Sequence, residues 1–146
     1  MATGGSVYLG FDFGLRRIGV AVGQPLTGTA RPLTTLPARD GQPDWDQVSA
    51  LLEEWQPAAL IVGLPRHRDG TASTVTAPAE RFARRLHGRF GLPVHTIDEH
   101  LSSHAAEREL SARGRGGRRL ERDKDHVDRL AAALILETWL AEQGDD

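Results

Sequence analysis

Apolar and polar positions alternate from Val7 to Phe13 in a run rich in Val, Leu and Phe, which predicts a β-strand. Gly14-Leu15-Arg16 reads as a turn. Arg17 to Gly23 (RIGVAVG) predicts a second strand, antiparallel to the first because the connection is so short. Thr29 to Leu36 predicts a third, pushed toward a sheet edge by Pro32, which has no N–H to give a ladder. The period then changes. Asp44 stands as an N-cap ahead of Trp45, Val48, Leu51, Leu52 and Trp55, apolar at helical spacing, and Pro57 ends that helix. Ala58 to Gly63 is short and wholly apolar, as expected for a parallel strand buried on both faces. Leu64 to Ala72 reads as a loop. A second helix is expected from about Val75 to Phe90, with Pro78 tolerated in its first turn and Gly91 closing it. It would turn Phe82, Ala83 and Leu86 inward and Arg81, Arg84, Arg85 and Arg89 outward. Val94 to Ile97 predicts a fifth strand ending at Asp98-Glu99. Ser102 or Ser103 then caps a helix to about Arg113, Gly114 to Arg119 reads as a flexible basic loop, and His126 to Glu142 forms the last helix.

The resulting order is β-β-β-α-β-α-β-α-α. It predicts an α/β fold with a mixed five-stranded sheet, three antiparallel meander strands followed by βαβ crossovers, flanked by helices. The 146 residues suit a single domain over positions 1–146, with 1–6 and 143–146 expected to be flexible. Trp45 and Trp55 are expected to anchor the first helix in the core.

Composition narrows the chemistry. Cysteine is absent, so any metal must be held by oxygen or imidazole ligands. No apolar run could cross a bilayer and no signal peptide is evident, so a cytoplasmic protein is expected. Aromatic residues make up 5%, too few for a platform that stacks single-stranded bases. All but one of the 18 basic residues are arginine, Lys124 being the exception. Six of them, Arg113, Arg115, Arg118, Arg119, Arg122 and Lys124, fall in one short segment. Guanidinium forks match phosphate geometry, so this segment is the first candidate for nucleic-acid contact. Arg66 and Arg68, after the fourth strand, are a second, and Arg16 and Arg17 in the first turn, Arg16 only four residues from Asp12, a third.

Acidic residues fall where such sheets build sites, at strand ends and helix starts. Asp12 interrupts an apolar strand, where a carboxylate is costly unless paired or bound to a cation. Strand alternation sets it opposite Leu9, Phe11 and Phe13. Glu99 ends the fifth strand. Asp125 and Asp128, three apart, share a face in the expected first turn of the last helix. Each has a plainer reading: a turn acceptor for Asp12, a solvated acid for Glu99, helix-dipole partners for the pair. Their conjunction on one fold suggests instead a site for Mg²⁺ or Mn²⁺, since hard cations take oxygen ligands and can mediate phosphodiester cleavage. His100 and His104 have HxxxH spacing, but Leu101 stands where a zinc-protease glutamate belongs, and surface histidines are the simpler reading.

Six segments together resemble the YqgF/RuvX family of pre-16S rRNA nucleases, also described as Holliday junction resolvase-like. They are FDFG…RIGVAVG (Phe11–Gly23), TGTARPL (Thr27–Leu33), WQPAALIVGLP…DGT (Trp55–Thr71), RFA.R..GRFGLPV (Arg81–Val94), DE.LS (Asp98–Ser102) and VD..AA..ILE.WL (Val127–Leu140). The resemblance covers roughly Tyr8 to Leu140. It implies an RNase H-like fold, metal-dependent hydrolysis of nucleic-acid phosphodiesters, maturation of the 16S rRNA 5′ end, and Asp12, Glu99 and Asp128 as catalytic acids. Asp125 looks like the second helix acid of the resolvase pattern, which would make the metal ligands Asp12, Glu99, Asp125 and Asp128. Three positions depart from the family: His100 replaces an arginine, His126 a lysine, and Arg129 a serine.

The leading expectation is a nuclease of precursor 16S rRNA that meets ribosomal particles, as a monomer or weak homodimer. The alternatives are a junction-specific DNA nuclease, which would need paired active sites, and a non-catalytic RNA-binding assembly factor. An ATP-binding relative is disfavoured by the short, single-lobed chain.

Overall fold

The computed structural model describes residues 6–65, 73–98 and 120–143, with side chains in the last stretch from Val127 onward. Six strands form one mixed sheet: β1 (Tyr8–Asp12), β2 (Arg17–Gln24), β3 (Thr29–Arg39), β4 (Gln42–Pro43), β5 (Ala59–Leu64) and β6 (Val94–Asp98). Three helices are described: α1 (Trp45–Trp55), α2 (Thr76–Phe90) and α3 (Leu120–Gln143). The strand order is β4-β3-β2-β1-β5-β6. The meander β1-β2-β3-β4 is antiparallel, whereas β5 and β6 run parallel to β1.

The expected five strands become six because β4 adds a two-residue bridge against Ala38 and Arg39. So short an element leaves no alternation in the sequence. It covers only the end of β3, so β3 is an edge strand at Pro32, where a residue without an N–H is tolerated. β5 is buried along its whole length between β1 and β6, as its apolar run predicts.

Alternation sorts the sheet into two packed faces. Leu9, Phe11, Phe13, Ile18, Val20, Val22, Leu60, Val62 and Leu64 form one core with Val48 and Leu52 of α1 and Phe82, Ala83 and Leu86 of α2. Trp45 stacks on Phe82 with ring centroids 5.8 Å apart, the Arg89 guanidinium lies 4.3 Å from the Trp45 ring centroid, and Trp45 and Trp55 both pack on this core as the helix anchors the sequence suggests. Asp44 caps α1, its carboxylate accepting from the Asp46 N–H. Gly91 ends α2 in the left-handed conformation that a residue without a Cβ adopts freely.

The opposite face carries α3, and its packing is unlike the first. Gly10, Gly19, Ala21 and Gly23 turn small surfaces toward the helix, which answers with Ala132 and Ala133. A Cβ built on Gly10 would lie 3.0 Å from the Leu136 Cβ, and one on Gly19 only 1.9 Å from the Asp128 carbonyl oxygen. The helix backbone therefore rests almost directly on β1 and β2. Toward β5 the contact becomes apolar again, through Ile61, Ile135, Leu136 and Leu140.

α3 begins at Leu120, six residues before the expected His126. Arg122 and Lys124 are therefore helical, and Asp128 lies in the third turn, too far from the helix start to serve as a first-turn dipole partner. The expected helix after Ser102, the basic loop and the loop residues Arg66 to Ala72 lie outside the described residues.

Gly88 offers a test of the α2 assignment. It sits in the helix interior, and a Cβ there would meet nothing within 4 Å. Gly88→Ala is expected to raise stability by about 0.5–1 kcal/mol through helix propensity alone, read from the urea midpoint.

Candidate active site

β1, β5 and β6 are parallel, so their C-terminal ends share one edge of the sheet. Asp12 is the last residue of β1. Its register partners are Gly19 on β2 and Gly63 on β5, neither of which carries a side chain. It lies on the α3 face, as alternation from Leu9, Phe11 and Phe13 requires, and is 8% exposed.

Asp128 reaches the same place from above. The contact of α3 with Gly19 sets the Asp128 backbone over the residue that pairs with Asp12. A cleft of about 440 Å³ opens there, lined by Asp12 and Asp128 together with Gly14, Leu15, Arg16, Arg17, Pro65 and Val75. Arg17 Nε donates to Asp128 Oδ2 at 2.8 Å, an ion pair between residues 111 apart in the chain. The floor is firm. The Arg16 carbonyl accepts from Ala38 N at 2.8 Å and the Leu15 carbonyl from Gly41 N at 2.9 Å, tying the β1–β2 turn to the β3–β4 turn. On the far wall the buried Thr76 hydroxyl donates to the Pro65 carbonyl and anchors the start of α2 to the end of β5.

Two of the four sequence-predicted acids, Asp12 and Asp128, thus meet in one cleft. β6 ends at Asp98 on the same sheet edge, but Glu99 itself lies outside the described residues, and so does the side chain of Asp125. Among the described residues no group of three or more metal-ligating side chains occurs. Of the predicted phosphate contacts, Arg16 lines the cleft and is exposed. Arg66, Arg68, Arg113, Arg115, Arg118 and Arg119 lie outside the described residues, as do the side chains of Arg122 and Lys124. Arg17, expected with Arg16 to contact phosphate, engages an acid directly instead. Its signal was present in the sequence: positions 17, 19, 21 and 23 share one strand face, and three of the four are Gly or Ala.

The donor set suits a hard cation. Two carboxylates from separate elements, one of them nearly buried at the end of an apolar strand, present oxygen ligands to a cleft that is open enough for a phosphate. No helix among the described residues is long and apolar enough to cross a membrane.

The architecture is an RNase H-like fold. The fold is similar to that of the Thermus thermophilus RuvC bound to a Holliday junction substrate, with a TM-score of 0.54 at 18% identity over 96% of this chain and 97% of that one. It is similar also to the fowlpox virus resolvase in complex with junction DNA, with a TM-score of 0.57 at 12% identity over 95% and 99% of the two chains. The RuvX family model, described as Holliday junction resolvase, matches residues 6–142, and the chain belongs to that family. A protein of Azotobacter vinelandii named "Putative pre-16S rRNA nuclease" is 56% identical over 142 residues, 97% of each chain. One of the same name from Pseudomonas putida is 58% identical over 132 residues, 90% of this chain and 92% of that one.

Proposed function

We propose that the chain is a single-domain, metal-dependent nuclease that hydrolyses a phosphodiester bond of precursor 16S rRNA during 5′-end maturation in the cytoplasm. The observation that carries this reading is the meeting of Asp12 and Asp128, 116 positions apart by number, in one arginine-bordered cleft. Carboxylates gathered where a polyanion binds make sense when cations lie between them. The substrate class follows from the name borne by relatives at 56–58% identity over nearly the full chain.

In this reading Asp12 and Asp128, with Glu99 and Asp125, hold Mg²⁺ or Mn²⁺, which when bound polarises the scissile phosphate and activates water. The protein's own part is positional. The glycines beside Asp12 keep side chains out of the space the phosphate needs. The rigid β1–β2 turn presents Arg16 at the rim, where its guanidinium can fork onto a neighbouring phosphate. The basic segment from Arg113 to Lys124, with Arg66 and Arg68, extends that contact along the RNA. The protein acts as a monomer or weak homodimer on ribosomal particles.

A junction-resolving DNA endonuclease is the second reading, favoured by the family description and by the fold it shares with junction-bound resolvases. One experiment separates the two. Labelled RNA carrying the 5′ precursor extension of 16S rRNA and a labelled four-way DNA junction are each incubated with the protein and Mg²⁺ or Mn²⁺. Metal-dependent cutting of the RNA alone is expected. Symmetric cutting of the junction alone transfers the assignment to DNA, and tight RNA binding without cutting of either leaves a binding factor.

A further inference from the structure

We propose that Arg17 is the internal counter-cation of this cleft, a positioning residue that holds Asp128 and yields it when a divalent cation enters. The inference rests on the metal reading above and adds a residue to it. Arg17 opens β2 on the same face as Gly19, the register partner of Asp12, and lines the same cleft as both acids. Its Nε lies 2.8 Å from Asp128 Oδ2, with the two side chains 37% and 19% exposed. Two carboxylates drawn together on one face repel each other, and a guanidinium between a strand and a helix offsets that repulsion. The same geometry makes it a competitor. A divalent cation on Asp128 would stand within a few ångströms of the guanidinium, and the two positive charges repel.

Metal uptake and the Arg17–Asp128 pair are therefore alternatives. The exchange has a use for the reaction. Arg17 lines the cleft that must receive the phosphate, and a guanidinium that yields its carboxylate can turn toward phosphate oxygens as the site is loaded. The site thus stays charge-balanced before loading and gains an anion-binding group on loading.

The test reads metal binding rather than cleavage. Mn²⁺ is titrated calorimetrically into the wild type and R17Q. The variant is expected to bind at least about thirty-fold tighter, the effect of removing a unit charge about 4 Å from a divalent ion even at the dielectric of water. Thermal melts of wild type, R17Q, D128N and the double variant should show coupling between the two positions in EDTA that vanishes at saturating Mn²⁺. Should R17Q not fold, the wild type answers alone: the Arg17 side-chain ¹⁵Nε–¹Hε resonance should shift in step with Mg²⁺ binding. Equal or weaker Mn²⁺ binding by R17Q, coupling that persists with metal, or an unmoved resonance overturns the proposal. Absence of metal uptake by the wild type overturns the metal reading itself and this inference with it, whereas uptake that R17Q leaves unchanged sinks this inference alone.

Discussion

Asp12→Asn is expected to lower cleavage of precursor 16S rRNA by at least about 10³-fold while leaving the protein folded and able to bind RNA. A single donor aimed at transition-state charge is typically worth about 10²–10³ in rate, and a carboxylate that holds the metal supports more than one such interaction. Asn matches Asp in size but carries no charge, so under the proposed metal reading a cation would lose one ligand with little change in packing. The variant should still unfold in one cooperative urea transition, because Asn keeps the size of Asp at the end of an apolar strand. RNA binding should hold or tighten, since one negative charge leaves a surface that meets a polyanion. Single-turnover rates on labelled RNA, filter binding and a urea melt read the three quantities separately. Retained cleavage at near wild-type rate would remove Asp12 from the catalytic machinery and, with it, the assignment of this cleft.

The parts of the fold with a strong period were legible in the chain. β1, β2 and β5 could be read because alternation and wholly apolar runs leave little choice, and α1 and α2 because Asp44, Pro57 and Gly91 punctuate an apolar stripe. What escaped had no such signal. The first turns of α3, Leu120 to His126, carry six polar residues in seven and so show no stripe, although Leu, Glu, Arg and Lys are good helix formers. A reading that waits for apolar periodicity starts the helix at His126, one turn and more too late. β4 is too short for any pattern.

The site was half legible. Asp12 stands out as a charge in an apolar strand, and its face follows from alternation. The nearness of Asp128 to it depends on how closely α3 approaches the sheet, which helix periodicity does not reveal. The signal lay on the other partner, in the small residues of RIGVAVG at alternate positions, which only make sense against a helix backbone. The Arg17–Asp128 pair follows from the same approach, and is invisible to any reading that treats Arg16 and Arg17 as one basic turn.

That approach makes Gly19 the most sensitive position of the seam. A Cβ there would lie 1.9 Å from the Asp128 carbonyl oxygen and 2.9 Å from the Arg129 nitrogen, atoms of a helix backbone that cannot swing aside as a side chain would. Gly19→Ala must therefore lift α3 from β1 and β2 or fail to fold. A cost of about 3 kcal/mol is expected, at the upper end of overpacking. Gly10→Ala, whose Cβ would meet Leu136 and Ala132 at 3.0 and 3.1 Å, should cost less, and Gly88→Ala should stabilise. This order of urea midpoints separates close approach from any general intolerance of the fold to alanine at glycine. Activity should fall further than the folded fraction does, because a helix displaced at Asp128 carries its carboxylate away from Asp12 and from Arg17. A Gly19→Ala variant with the wild-type midpoint and wild-type cleavage would mean that α3 does not rest on β2 at this residue. The two acids would then have to be brought together by some other contact.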